Sequence, residues 1–132
     1  MNANLDRISK QAERVINAFV EENGYQVIMT TRDIRKLLTD NNVGIHSAWL
    51  ISDHCYNHYN LGLIEFEQDI HLFEYISNGR YRILGSQYPY NGDILWFTKE
   101  NHHTIKYRVG VMENGKPILF PKNQYTRFDA TR

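Results

Sequence analysis

Residues 52–60 read Ser-Asp-His-Cys-Tyr-Asn-His-Tyr-Asn, a dense run of side chains able to do chemistry. Three chemistries compete for it. His54 and His58 stand one helical turn apart, the spacing of zinc ligands on a helix. No Glu follows His54 and no third ligand lies near in sequence, whereas zinc needs three or four convergent donors, so no metal is expected. Cys55 would be a nucleophile only with a base beside it and a lowered pKa; an inward place on a helix makes it a small buried thiol instead. The third chemistry is the reading of base edges. With Ser52 as N-cap and Asp53 in the positive first turn of a helix to about residue 59, Cys55, Tyr56 and Tyr59 face inward. His54, Asn57, His58 and Asn60 then form the outer face. The Asn57 amide could bond two adenine positions at once, or it could cap the end of a short helix. Unperturbed His54 and His58 would be half-protonated near about pH 6.5, so affinity for phosphate should rise as pH falls.

The elements around this run are those of a winged helix-turn-helix. Residues 5–23 predict an amphipathic helix, with Leu5, Ile8, Ala12, Val15, Ile16 and Phe19 on one face, Asn4 as cap and Gly24 as stop. Arg7, Lys10 and Arg14 share another face and read as solvated surface. Residues 25–29 are β-prone. Thr30-x-x-Asp33 caps a second helix with Ile34, Leu37 and Leu38 as its stripe, ended by Asp40-Asn41-Asn42. Arg35 and Lys36 on its other side are candidate phosphate contacts. Residues 43–51 form a loop whose Trp49 packs beneath the third helix. After an irregular stretch, 61–70, Asn78-Gly79 joins two β-prone runs, 72–76 and 80–84, into a hairpin. Arg80 and Arg82 share a face near its tip and should grip phosphate or minor groove. Aliphatic and aromatic residues on both faces predict a sheet covered on both sides.

Residues 85–92 are turn chemistry. Three antiparallel strands follow, near 94–98, 104–112 and 117–120, the last two joined through Asn114-Gly115, and then a frayed tail. The expected class is therefore α+β: a winged helix at 4–86, an antiparallel β extension at 87–123 packed on it, and a tail at 124–132. Tyr88, Tyr90, Trp96 and Phe97 form the seam between the two parts. The alternative is that Tyr88, Tyr90 and Trp96 make a stacking pocket for an unpaired or modified base.

Composition narrows the function classes. The chain of 132 residues is 42% apolar and 23% charged, which suits one globular domain. No apolar run approaches the ~20 residues of a membrane span, and no signal pattern opens the chain. A single Cys excludes an internal disulfide and suits a reducing cytoplasm. Net charge is zero, which counts against a nucleic-acid binder unless one face concentrates the positive charge. Glu113-x-x-Lys116 is the nearest approach to a nuclease carboxylate–lysine pattern and falls in a turn. His102-His103 lies in an exposed turn beside Lys99 and Lys106. There is no Gly-rich phosphate loop, no Gly-x-Ser-x-Gly and no Cys-x-x-Cys. Neither catalysis nor a cofactor is expected.

Four motifs together resemble a bacterial domain found alone and beside nuclease domains in restriction-type proteins. They are Ser52-Asp53-His54-Cys55-Tyr56-Asn57, Leu72-Phe73-Glu74-Tyr75, Gly79-Arg80-Tyr81-Arg82-Ile83-Leu84-Gly85 and Tyr88-Pro89-Tyr90-Asn91-Gly92. The resemblance covers roughly residues 10–120 and implies a winged-helix DNA sensor. Two departures matter: His54 stands for a Tyr, and His58 where a basic residue is commoner. The resulting expectation is a cytoplasmic protein that binds double-stranded DNA, sensitive to sequence or modification, in transcription control or restriction-type defence, alone, as a homodimer or with a partner protein. The rival expectation is a protein-interaction module, such as a phage or plasmid inhibitor of a host enzyme.

Overall fold

The computed structural model of the protein describes residues 3–60 and 65–128. Helix α1 (Ala3–Asn23) and helix α2 (Thr31–Asp40) bury the stripes their spacing predicts: Ile8, Ala12 and Ile16 on the first, Ile34 and Leu38 on the second. α1 stops at Gly24, which sits at φ 77° and donates to the Val20 carbonyl at 2.8 Å. Thr30 caps α2, its hydroxyl accepting from the Asp33 N–H at 3.1 Å, and the helix ends at Asn41.

Strand β1 (Ile28–Thr30) lies between the helices in sequence. Strands β2 (Phe73–Ser77) and β3 (Arg80–Ile83) form the hairpin through Asn78-Gly79, with Gly79 at φ 77°. The three make an antiparallel sheet in the order β1-β3-β2. Its pleat separates two faces. Met29, Tyr81 and Tyr75 stand in one row and Ile83 with Phe73 in another; all five turn to the helices and join Trp49, Val43 and Ile51 in the first core. Ile28, Arg82 and Glu74 line the opposite face, with Thr30 and Arg80 in the next row. Ile28, Thr30 and Arg80 are exposed. The sheet is thus open on this side, not covered on both. Leu72 and Leu84, which blurred the alternation, lie just beyond the strand ends, where the chain turns into the cores.

Strands β4 (Gly92–Glu100), β5 (His103–Glu113) and β6 (Lys116–Leu119) make the antiparallel meander expected after residue 92. The expected tail holds a further strand, β7 (Thr126–Phe128), paired with Lys106–Arg108 of β5, so β6 and β7 share one edge of β5. A three-residue strand carries no alternation of its own, and its partner lies about 20 residues away, which is why local pattern misses it. Residues 129–132 of the expected tail, and 61–64 of the irregular stretch, lie outside the described residues. The second core joins Ile94, Val109 and Met112 to Tyr56, Phe66 and Leu84 from before residue 87.

The expected third helix is corrected. Residues 51–54 form one 3-10 turn, Ile51–His54, and the chain then runs as a strap between the two sheets. Cys55 bridges Phe73 of β2, and His58 bridges Leu95 of β4. On one side the Tyr56 N–H donates to the Phe73 carbonyl and the Leu72 N–H to the His54 carbonyl, both at 2.8 Å. On the other, the Tyr59 N–H donates to Leu95 at 2.9 Å and the Leu95 N–H to Asn57 at 3.1 Å. Ser, Asp, Asn, His and Tyr each lie roughly 0.5 kcal/mol below Ala in helix propensity. A run of them gains more from bonding two sheets, at about 1 kcal/mol net per bond, than from a lone helix turned to solvent. The α+β class stands, with two α-helices among the described residues.

Candidate functional site

The strap takes the expected recognition residues out of solvent. His54 is buried and its ring stacks on Trp49. Its Nδ1 lies 2.8 Å from the Ile70 carbonyl, which can only accept, so the proton sits on Nδ1. Nε2 then accepts from the Ser9 hydroxyl at 3.4 Å, and Ser9 accepts from the Trp49 indole N–H at 2.9 Å. His58 is buried as well, stacked on Tyr75 and edge-on to Phe97. Its Nε2 meets the Asn60 side-chain oxygen at 3.1 Å, while Nδ1 is buried without a partner among the described residues. The Asn60 amide donates to Ser52 and Asp53. Burial lowers the pKa of both histidines and keeps them neutral near pH 7. The expected outward placement of the histidines, on which the expected rise of DNA affinity in acid rested, is therefore corrected: both rings are core.

Asn57 is half-buried and serves the sheet. Its side-chain oxygen accepts from the Tyr75 N–H at 2.8 Å and its amide donates to the Tyr75 carbonyl at 3.0 Å. It fills the place of a further peptide unit at the edge of β2. Asn57→Ala would strand both groups of Tyr75 and is expected to destabilise the fold by about 2 kcal/mol. A denaturant midpoint shows this directly; an unchanged midpoint would return Asn57 to the surface role of a base reader.

The other expected contacts divide. Arg35 donates to the Trp49 carbonyl at 3.2 Å and so braces the loop. Lys36 pairs with Asp40 at 2.8 Å on an exposed helix face. Cys55 is fully buried, and burial followed by the nearby Asp53 and Glu74 charges pushes its thiol well up, away from nucleophilic reactivity. Trp96 stacks on Tyr107 in the second sheet and packs, like Tyr88 and Tyr90, against the second core.

Arg82, Tyr88 and Tyr90 do come together, on the open face of the first sheet. There a cleft of about 460 Å³ is lined by Tyr25, Glu74, Arg82, Tyr88, Tyr90 and Asn91, among others. Arg82 Nε donates to Glu74 Oε1 at 2.9 Å, and the Tyr90 hydroxyl donates to Glu74 Oε2 at 2.8 Å. The Tyr90 ring stacks on Tyr56, which anchors it in the second core, and burial and then Glu74 drive its hydroxyl pKa up. Tyr88 meets Tyr25 edge to face, with ring centroids 5.0 Å apart. The β5–β6 turn holds the tyrosine loop from behind: Gly115 N–H donates to the Tyr90 carbonyl at 2.8 Å, and Asn114 N–H to the Asn91 side chain at 3.0 Å. Arg80 sits in the next row of the same face, exposed and without an ion pair among the described residues.

Sequence reasoning missed Tyr25 and Glu74. Glu74 was out of reach, because a two-residue Asn-Gly turn would set it opposite Ile83, and only the bulge between Tyr75 and Ser77 brings it opposite Arg82. Tyr25 follows the helix stop and has no local signal that takes it to residue 88. Among the described residues no group of three His, Cys, Asp or Glu converges to hold a metal, and no helix is long and apolar enough to cross a membrane.

Two helices, two antiparallel sheets and a tyrosine-walled cleft over an arginine–glutamate pair define an α+β domain with an aromatic-lined, charge-compensated site. A family model described as "Domain of unknown function (DUF7225)" matches residues 7–119, and the chain belongs to that family. It is 32% identical over 98 residues to the "Uncharacterized protein YnaC" of Bacillus subtilis (strain 168), an alignment covering 74% of this chain and 35% of that protein. The chain thus spans about a third of the length of this curated relative. No solved structure matches it significantly.

Proposed function

We propose that the protein is a cytoplasmic double-stranded DNA-binding domain of the winged-helix type, sensitive to sequence or modification, that uses the open face of its first sheet. The element order α1, β1, α2, 3-10 turn, β2, β3 and the sheet order β1-β3-β2 support the winged-helix reading, with the third helix cut to one turn. The contact surface moves accordingly from the strap to the face bearing Arg80, Arg82 and the tyrosines. The observation that carries the proposal is the cleft, where tyrosine walls offer stacking to a base that has left the duplex and Arg82, held by Glu74, offers its edge polar donors. Transcription control or restriction-type defence is the setting in which such sensing serves.

Binding to random duplex across a salt series tests this. Log affinity should fall linearly with log salt, by about 0.9 per phosphate neutralised. Arg80→Ala should flatten that slope by about one unit, because its charge is uncompensated. Adding Arg82→Ala should flatten it little further, because Glu74 already neutralises Arg82. A slope unchanged by Arg80→Ala would take this face off the phosphates. Zero net charge and the exposed Ile28 beside Arg82 favour a second reading, a protein partner docked on the same face; no salt-dependent duplex binding at all would select it.

A further inference from the structure

We propose that the cleft is specific for guanine, read at O6 and N7 by the terminal nitrogens of Arg82. This rests on the DNA-binding reading and names the base it would select. Arg82 spends Nε on Glu74 at 2.9 Å, which leaves its two terminal nitrogens without a partner among the described residues. Glu74 is held at both oxygens, by Arg82 and by Tyr90 at 2.8 Å, so the guanidinium plane is fixed from behind. The side chains remain 29% and 25% exposed, so their outer edges are open to the cleft.

The charges of the pair cancel. A phosphate would find no net positive charge there, whereas a neutral planar group would find a rigid pair of donors. That pair fits an edge with two adjacent acceptors. Guanine presents two at O6 and N7; on the same edge adenine sets a donor beside its acceptor, cytosine presents a donor, and thymine presents one acceptor beside a methyl group. Tyr25 and Tyr88, in the cleft wall, supply aromatic surface for the ring. Glu74 is then a positioning residue, acting through Arg82.

The test alters the DNA rather than the protein. A duplex carrying guanine is compared with one carrying 7-deazaguanine, which pairs normally but lacks N7. The intact protein should bind the guanine duplex about tenfold more tightly, the scale of one lost bidentate contact. Arg82→Lys keeps the charge but not the fork, and should remove the preference while leaving the salt slope unchanged. Equal affinity for the two duplexes would overturn the guanine assignment and leave the DNA reading standing. Binding to neither duplex would overturn both.

Discussion

Replacing Gly85 by Ala is expected to destabilise the protein by about 3 kcal/mol. Gly85 sits at φ 83°, a left-handed conformation that costs an L-residue roughly 1–2 kcal/mol. A β-carbon there would lie 2.7 Å from Asn17 Oδ1 and 3.2 Å from a Val20 methyl on α1. Asn17 cannot yield freely, because the same oxygen accepts from the Ser86 N–H and its amide donates to the Ser86 hydroxyl, both at 2.9 Å. Displacing the Gly85 backbone instead would pull its carbonyl from the Tyr56 hydroxyl, now at 2.6 Å, and so loosen the second core. Urea unfolding should show the loss as a lower midpoint at unchanged slope. A loss under about 1 kcal/mol would mean that α1 and the 84–86 turn are not locked together in this way.

Acid is expected to destabilise the protein between about pH 6.5 and pH 4, before most carboxylates titrate. Burial, aided by His54, lowers the pKa of His71 to about 4; its ring packs between Tyr56 and Phe66 and its Nε2 is buried without a partner among the described residues. Burial lowers His54 and His58 in the same direction. A histidine with a depressed folded pKa stays neutral in the native state while the unfolded chain takes up the proton. Stability is therefore present in full above the unfolded value near about 6.5 and is lost as pH falls toward the folded one. For His71 alone that loss reaches about 3 kcal/mol. Asp69 works against it: burial, then Asp53, Asp6 and Glu65, raises its pKa to about 6, so its protonation favours the fold as pH falls from about 6 to 3.8. Its shift nearly matches that of His71 in size, so the net loss is carried by His54 and His58. Denaturant midpoints at pH 7.5 and 4.5 measure it, and His71→Gln should flatten the difference. Equal midpoints in the parent protein would contradict the burial of these rings.

The helices and hairpins were legible because their signals are local. The stripe of α1, the Thr30 cap and the Asn-Gly turns at 78–79 and 114–115 each depend on residues within a few positions. The strap was not, because residues 55–59 take their shape from partners at Phe73, Tyr75 and Leu95. Inside that strap a polar run does interior work: Asn57 stands in for a peptide group, and His54 closes a chain of hydrogen bonds begun by Trp49. Polarity read along one stretch cannot tell a surface from a satisfied interior. The site was legible in part for the same reason. Arg80, Arg82, Tyr88 and Tyr90 lie in a hairpin and a turn with strong local signals, whereas Tyr25 joins the cleft through its contact with Tyr88, 63 positions along the chain.

Amide chemical-shift mapping of the protein titrated with a guanine-containing duplex tests the central claim most directly. Shifts should concentrate on Ile28, Thr30, Arg80, Arg82 and residues 88–91, the open face and its cleft. Residues 54–58, bonded into both sheets, should move little. Shifts centred on 54–58, with the open face unmoved, would contradict the claim.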